Sequence, residues 1–106
     1  MPTEGTEQRK LAAIMFTDMV SYSALTQRNE AIALKVLEEH RQLLRPLFCK
    51  HQGREIKTVG DAFLVEFAST LEAIRCAAGI QEILKDYNGL ADQSFNIQIR
   101  IGLHLG

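Results

Sequence analysis

The stretch from Phe95 to Gly106 alternates without a break. Phe95, Ile97, Ile99, Ile101, Leu103 and Leu105 are apolar, and Asn96, Gln98, Arg100, Gly102, His104 and Gly106 stand between them. Successive side chains of a strand point to opposite faces, so a period of two reads as a half-buried strand. One face of its sheet has to be covered. The other is left to water, a partner or a site.

What covers that face is found upstream. Asn29 is suited to cap a long helix reaching about His51, with Ala33, Leu37, His40, Leu44 and Leu47 or Phe48 at helical spacing. Pro46 falls inside this pattern and is expected to kink it, and Gly53 to end it. Ser69-Thr-Leu-Glu72 has the spacing of a capping box and opens a second long helix. Its apolar face is Ala73, Ala77, Ile80, Leu84 and Tyr87, and Asn88-Gly89 stops it.

Three further strands are expected. The continuous apolar run Leu11 to Phe16 fits a strand buried on both faces in the middle of a sheet, broken by Thr17, Asp18 and Ser21. A short helix can follow from Tyr22. Glu55 to Val59 and Ala62 to Phe67 flank Gly60-Asp61, a hairpin signal, because glycine accepts the positive φ of a type II′ turn. Strand, helices, hairpin, helix and strand make an α+β layer plan, with helices on one face of a mostly antiparallel sheet.

At 106 residues, with 46% hydrophobic and 24% charged, the chain is sized for one domain with a single core. Met1 to Arg9 has no periodicity and reads as a tail or linker (residues 1–9). A net charge of −1 argues against nucleic acid as a partner held by bulk charge. No apolar run approaches the ~20 residues of a membrane helix, and no signal-peptide pattern opens the chain, so no membrane insertion is expected of this segment. Cys49 and Cys76 form no CxxC or Cys/His metal spacing. They read as small core or near-core residues with free thiols in a reducing, cytoplasmic setting.

Two acids stand where chemistry is possible. Asp18 follows the first strand and Asp61 sits in the hairpin tip. If the first strand lies beside the hairpin, both carboxylates project from one end of the sheet. Such a pair calls for a cation, and Mg²⁺ takes one or two carboxylates together with substrate phosphates. Singly, Asp18 also reads as a helix cap and Asp61 as a turn former. There is no GxxxxGK[ST] and no GxGxxG, so phosphate binding would fall to backbone N–H groups after Asp18, around Val20, Ser21 and Tyr22. Lys57 reads as a solvated strand lysine. His40 lies on an apolar stripe as a core histidine, His51 near a helix end, and His104 on the polar face of the last strand.

Three stretches in order, Ala13-Ile-Met-Phe-Thr-Asp-Met-Val-Ser-Tyr-Ser23, Gly53-Arg-Glu-Ile-Lys-Thr-Val-Gly-Asp-Ala-Phe63 and Arg100-Ile-Gly-Leu-His-Leu-Gly106, resemble the class III adenylate/guanylate cyclase catalytic domain, bacterial type. The resemblance covers residues 10–106. It implies a ferredoxin-like, palm-type sandwich and two chains paired head to tail, with active sites at the homodimer interface. It implies two divalent metal ions, Mg²⁺ or Mn²⁺, held by Asp18 and Asp61 with the Met19 carbonyl as a further ligand. Amides from Val20 to Tyr22 would cradle phosphates, and Lys57 would read adenine, favouring ATP over GTP. The implied activity is conversion of ATP to 3′,5′-cyclic AMP and pyrophosphate, for intracellular signalling.

The family pattern continues past Gly106 with a second purine-selecting residue, an Asn and an Arg. The expectation is therefore a domain whose C-terminal part is missing, and a chain inactive by itself. Other readings are a guanylate cyclase, a non-catalytic dimerisation or regulatory module of the same fold, and a diguanylate-cyclase-like palm domain. Against the last, the tip Val59-Gly-Asp-Ala-Phe63 lacks that family's second adjacent acid.

Overall fold

The structure, a computed structural model, describes residues 12–90 and 96–105. Residues 1–9, expected as a tail or linker, and Leu11, Phe95 and Gly106 lie outside the described residues. The elements are β1 (Ala13–Met19), α1 (Tyr22–Arg28), α2 (Glu30–Lys50), β2 (Gly53–Val59), β3 (Ala62–Phe67), α3 (Thr70–Asn88) and β4 (Ile99–Leu105). The strands form one sheet in the order β2-β3-β1-β4. All three pairings are antiparallel. With helices on one face of this sheet, the architecture is α+β.

The core lies between the helices and one face of the sheet. Ala13, Met15 and Met19 of β1, Phe63, Val65 and Phe67 of β3, and Ile99 of β4 meet Val36, Leu44 and Phe48 of α2 and Ala73, Cys76, Ile80 and Leu84 of α3. The rings of Phe48 and Phe63 meet edge to face with centroids 5.0 Å apart. Aromatic pairs favour this arrangement because a positive ring edge faces a negative ring face.

β1 is an inner strand, but it is not buried on both faces. Its burial alternates, and Phe16 is 53% exposed. Helices cover only one side of the sheet, so Phe16 is left on the other. Nor do Thr17 and Asp18 end the strand. Thr17 pairs with Phe63 of β3 and Ile101 of β4, and Asp18 with Arg100. The ladder with β4, which continues through Asp18 to Met19, outweighs the weak strand propensity of an aspartate.

The helix signals hold with two changes. Asn29 Oδ1 accepts from Ile32 N at 3.1 Å and starts α2, which runs through Pro46 to Lys50. Gly53 does not terminate it but opens β2, two residues before the expected Glu55. The turn is made at Gln52, with φ 63°. Glycine is needed at 53 for another reason: a Cβ there would lie 2.6 Å from Phe67 Cε2 and 2.9 Å from Val65 Cγ1.

Ser69 Oγ accepts from Glu72 N at 3.1 Å, half of the expected capping box. The Glu72 carboxylate does not turn back to Ser69. It takes His51 Nδ1 at 2.8 Å and Arg75 Nη1 at 3.1 Å, tying the end of α2 to the start of α3. Asn88, which reads only as a stop signal, does more. Its amide donates to Ile97 O at 2.9 Å and accepts from Ile97 N at 2.7 Å, docking the approach to β4 against α3.

Cys76 is buried, and burial pushes its thiol up to about 11. Cys49 is exposed and not a core residue, because it falls on the outer side of α2. Among the described residues no helix is long and apolar enough to cross a membrane.

Candidate active site

The alternation that buries Thr17 and Met19 turns Asp18 to the open face of the sheet. Its cross-strand partner is Arg100, whose Nε donates to Asp18 Oδ1 at 2.9 Å. β1 then leaves the sheet through a tight turn. Val20 N donates to Gln98 O at 2.8 Å. Ser21 follows with φ 64°, a left-handed conformation uncommon outside glycine and costing on the order of 1 kcal/mol or more. α1 begins at Tyr22.

Asp61 arrives from the other side. Gly60 has φ 56° and Asp61 does not have a positive φ, as a type II′ turn requires. The register Thr17↔Phe63 sets this turn beside the end of β1. Asp61 Oδ2 accepts from Met19 N at 2.7 Å, a contact spanning 42 positions of sequence. Asp18, Met19, Ser21, Tyr22, Ser23, Asp61 and Arg100 line one pocket of about 290 Å³.

The structure thus brings Asp18, Met19, Asp61, Ser21 and Tyr22 together. The Val20 amide, expected among the phosphate ligands, is engaged by Gln98. Lys57 lies elsewhere: it lines an apolar recess of about 200 Å³ with Phe16, Val59, Ala62, Phe63 and Leu64. Arg100 is a site residue that sequence reasoning did not single out. Its signal was its place on the polar face of the alternating strand, but which acid it meets follows from register, 82 positions away.

The layer behind the tip is also polar. His40 is fully buried with its ring 5.3 Å from Phe63. Its Nδ1 contacts Leu37 O at 3.2 Å, while Nε2 has no partner among the described residues, and desolvation holds the imidazole below its usual range. His51 pairs with Glu72, and His104 is exposed on β4, away from this pocket.

Two carboxylates and the backbone carbonyl of Met19 are hard oxygen donors, which fits Mg²⁺ or Mn²⁺. Among the described residues no group of three or more His, Cys, Asp or Glu could hold a metal by itself. The other ligands of a cation here have to come from water or from phosphate. The pocket is lined by both charges: the carboxylates of Asp18 and Asp61, and the guanidinium of Arg100, which pairs with Asp18.

The sequence matches the adenylate and guanylate cyclase catalytic domain over residues 5–106. It is 39% identical over 100 residues to "Putative adenylate cyclase 3" of Rhizobium meliloti (strain 1021), covering 93% of this chain and 17% of that protein. It is 34% identical to serine/threonine-protein kinase pkn2 of Myxococcus xanthus over 88% of this chain and 11% of that one. The chain therefore spans under a fifth of the length of these curated relatives. Among solved structures, the adenylate/guanylate cyclase/hydrolase from Silicibacter pomeroyi superposes with a TM-score of 0.79 at 35% identity, over 92% of this chain and 57% of that one. A bacterial light-regulated adenylyl cyclase shares the fold, with a TM-score of 0.81 at 22% identity, over 92% and 55% of the two chains. By sequence and by fold, this chain belongs to the adenylate and guanylate cyclase catalytic domain family.

Proposed function

We propose that this chain forms part of a nucleotidyl cyclase that converts ATP to 3′,5′-cyclic AMP and pyrophosphate. The observation that carries this reading is the convergence of Asp18 and Asp61 in one pocket with Arg100, in a chain of this family. In the reaction the ribose 3′-oxygen bonds to the α-phosphorus and pyrophosphate leaves. Divalent ions bound between the acids would supply Lewis acidity to the attacking oxygen and offset the triphosphate charge.

The chain's own residues do the positioning. Asp18 and Asp61 would hold the cations, with the Met19 carbonyl as a further oxygen donor. Arg100, which pairs with Asp18, has the planar fork that would suit phosphate oxygens. Ser21 and Tyr22, at the start of α1, line the same pocket, and their amides would donate to phosphate oxygens. Such fixed charges need no reorganisation as the reaction proceeds.

Lys57 supports ATP over GTP, because an ammonium can donate to adenine N1 where guanine presents a donor. Its apolar recess suits a flat base. That recess lies apart from the acid pocket, which supports a second copy of the chain as the partner. A head-to-tail pair, packed through the open sheet face with Phe16 and Val59, would bring Lys57 of one copy to the acids of the other.

The test is cyclic nucleotide formation by the full-length protein from ATP and from GTP, with Mg²⁺ or Mn²⁺. Asp18→Asn and Asp61→Asn keep the size of each side chain and remove its charge. Each is expected to lower turnover by about 10²-fold or more. Near-normal turnover in either variant would refute the role of that acid.

A further inference from the structure

Three contacts run from α2 to the β2–β3 hairpin. Arg45 meets Glu55 of β2 through two bonds, Nε to Oε1 at 3.1 Å and Nη2 to Oε2 at 3.2 Å. The same guanidinium lies 5.4 Å from the centroid of Phe63 on β3. One turn earlier on the helix, Arg41 Nη2 donates to Gly60 O at 2.7 Å. The first two contacts grip the arms of the hairpin and the third grips its tip.

The third contact differs in what it controls. The Gly60 carbonyl belongs to the peptide that leads into Asp61, so a bond to it restrains the plane from which the Asp61 side chain departs. Gly60 has φ 56° with nothing within 4 Å of where a Cβ would stand, so no side chain packs over that side of the turn. Arg41 meanwhile has its Nε buried without a hydrogen-bond partner. Leaving a buried donor unmet costs on the order of 1–3 kcal/mol, so this rotamer is not one the side chain adopts for its own solvation. Glu55, the nearby acid, is held by Arg45.

We propose that Arg41 is a positioning residue for Asp61. From the helix layer it fixes the Gly60 peptide, and Asp61 thereby keeps its carboxylate on the Met19 N–H at the end of β1. The functional consequence rests on the cyclase reading above: Asp61 is presented to the pocket in one orientation rather than several.

The test has a readout that needs no metal and no turnover. In ¹⁵N-labelled protein, the Met19 amide reports its bond to Asp61. Arg41→Ala is expected to shift that resonance and speed its exchange about tenfold, the worth of one hydrogen bond, while the Met15 amide stays as it was. Mn²⁺ affinity is expected to fall about tenfold, with part of both effects recovered in Arg41→Lys. Asp61→Ala gives the reference position for a freed Met19 amide. A Met19 amide unchanged in Arg41→Ala overturns the proposal. So does exchange that rises evenly through β1, β2 and β3, because that is loss of packing rather than of positioning. If Arg41→Ala does not fold, Arg41→Gln is judged by the same amide. If the unaltered protein binds no Mn²⁺, the cyclase reading fails, and the Met19 amide still decides the role of Arg41.

Discussion

The two faces of the sheet are made from the same strands and put to opposite uses. On the helix-covered face, Met15, Phe63, Val65 and Phe67 are at most 2% exposed. On the other, one residue along the same strands, stand Phe16, Leu64, Lys57, Asp18 and Arg100. The covered face excludes water and gives the fold its stability. The open face has apolar surface in its middle and charge at one end, where β1 and the hairpin tip meet. A strand locked on one side by packing presents its other side with little freedom, which is how a small domain holds carboxylates in place without burying them.

A phenylalanine on each face separates the two roles most clearly. Phe63→Ala should cost about 3–5 kcal/mol, since Phe48 and His40 close around the ring. Phe16→Ala should cost under about 1 kcal/mol of fold stability, and should instead weaken self-association of the protein. Chemical denaturation and sedimentation check the pair. Equal losses of stability would mean that the open face is as well packed as the other.

Gly53→Ala tests the rim of the covered face. The added methyl meets Phe67 and Val65 below 3.0 Å, so a loss of about 1–3 kcal/mol is expected. A thermal midpoint equal to that of the unaltered protein would show that Phe67 can move aside.

Lys57→Glu probes the apolar part of the open face. The rate with ATP relative to GTP should fall about tenfold or less, the worth of one base contact, with no effect on stability. An unchanged ratio would remove Lys57 from base recognition.

The smallest effect belongs to pH. Burial holds the His40 imidazole below its ordinary value of 6.5, despite the opposing influence of Leu37 O and Asp61. A group lowered in the folded state favours the neutral form there. Its contribution to stability is complete above 6.5 and is lost as pH falls toward the folded value. Denaturation between pH 7 and 5 should show this decline, and His40→Phe should flatten it. An identical slope in that variant would place the acid sensitivity elsewhere.

Much of this architecture was open to sequence reading, because it is set by local chemistry. Asn29 and Ser69 cap helices with their own side chains. Gly60 supplies its own positive φ, and the alternation from Ile97 to Leu105 declares a strand with two unlike faces. Asp18 and Asp61 could each be named from their positions. What escaped were relations between distant segments. Phe16 ends an apolar run and is nevertheless exposed, because only the count of helices over each face decides what is covered. Glu72 has the spacing to complete a capping box, yet His51 from another helix takes its carboxylate. Asn88 reaches Ile97, and Arg41 reaches Gly60, through docking that no local window contains.

The division follows from the range of the forces involved. Dihedral preference, capping and period act within a few residues, so the order of elements, the hairpin tip and the two acids are properties of the sequence itself. Burial and register depend on what packs beside a strand. Only the tertiary structure decided that Arg100 stands opposite Asp18, that the Val20 amide is taken by Gln98, and that Lys57 sits in a recess apart from the acids.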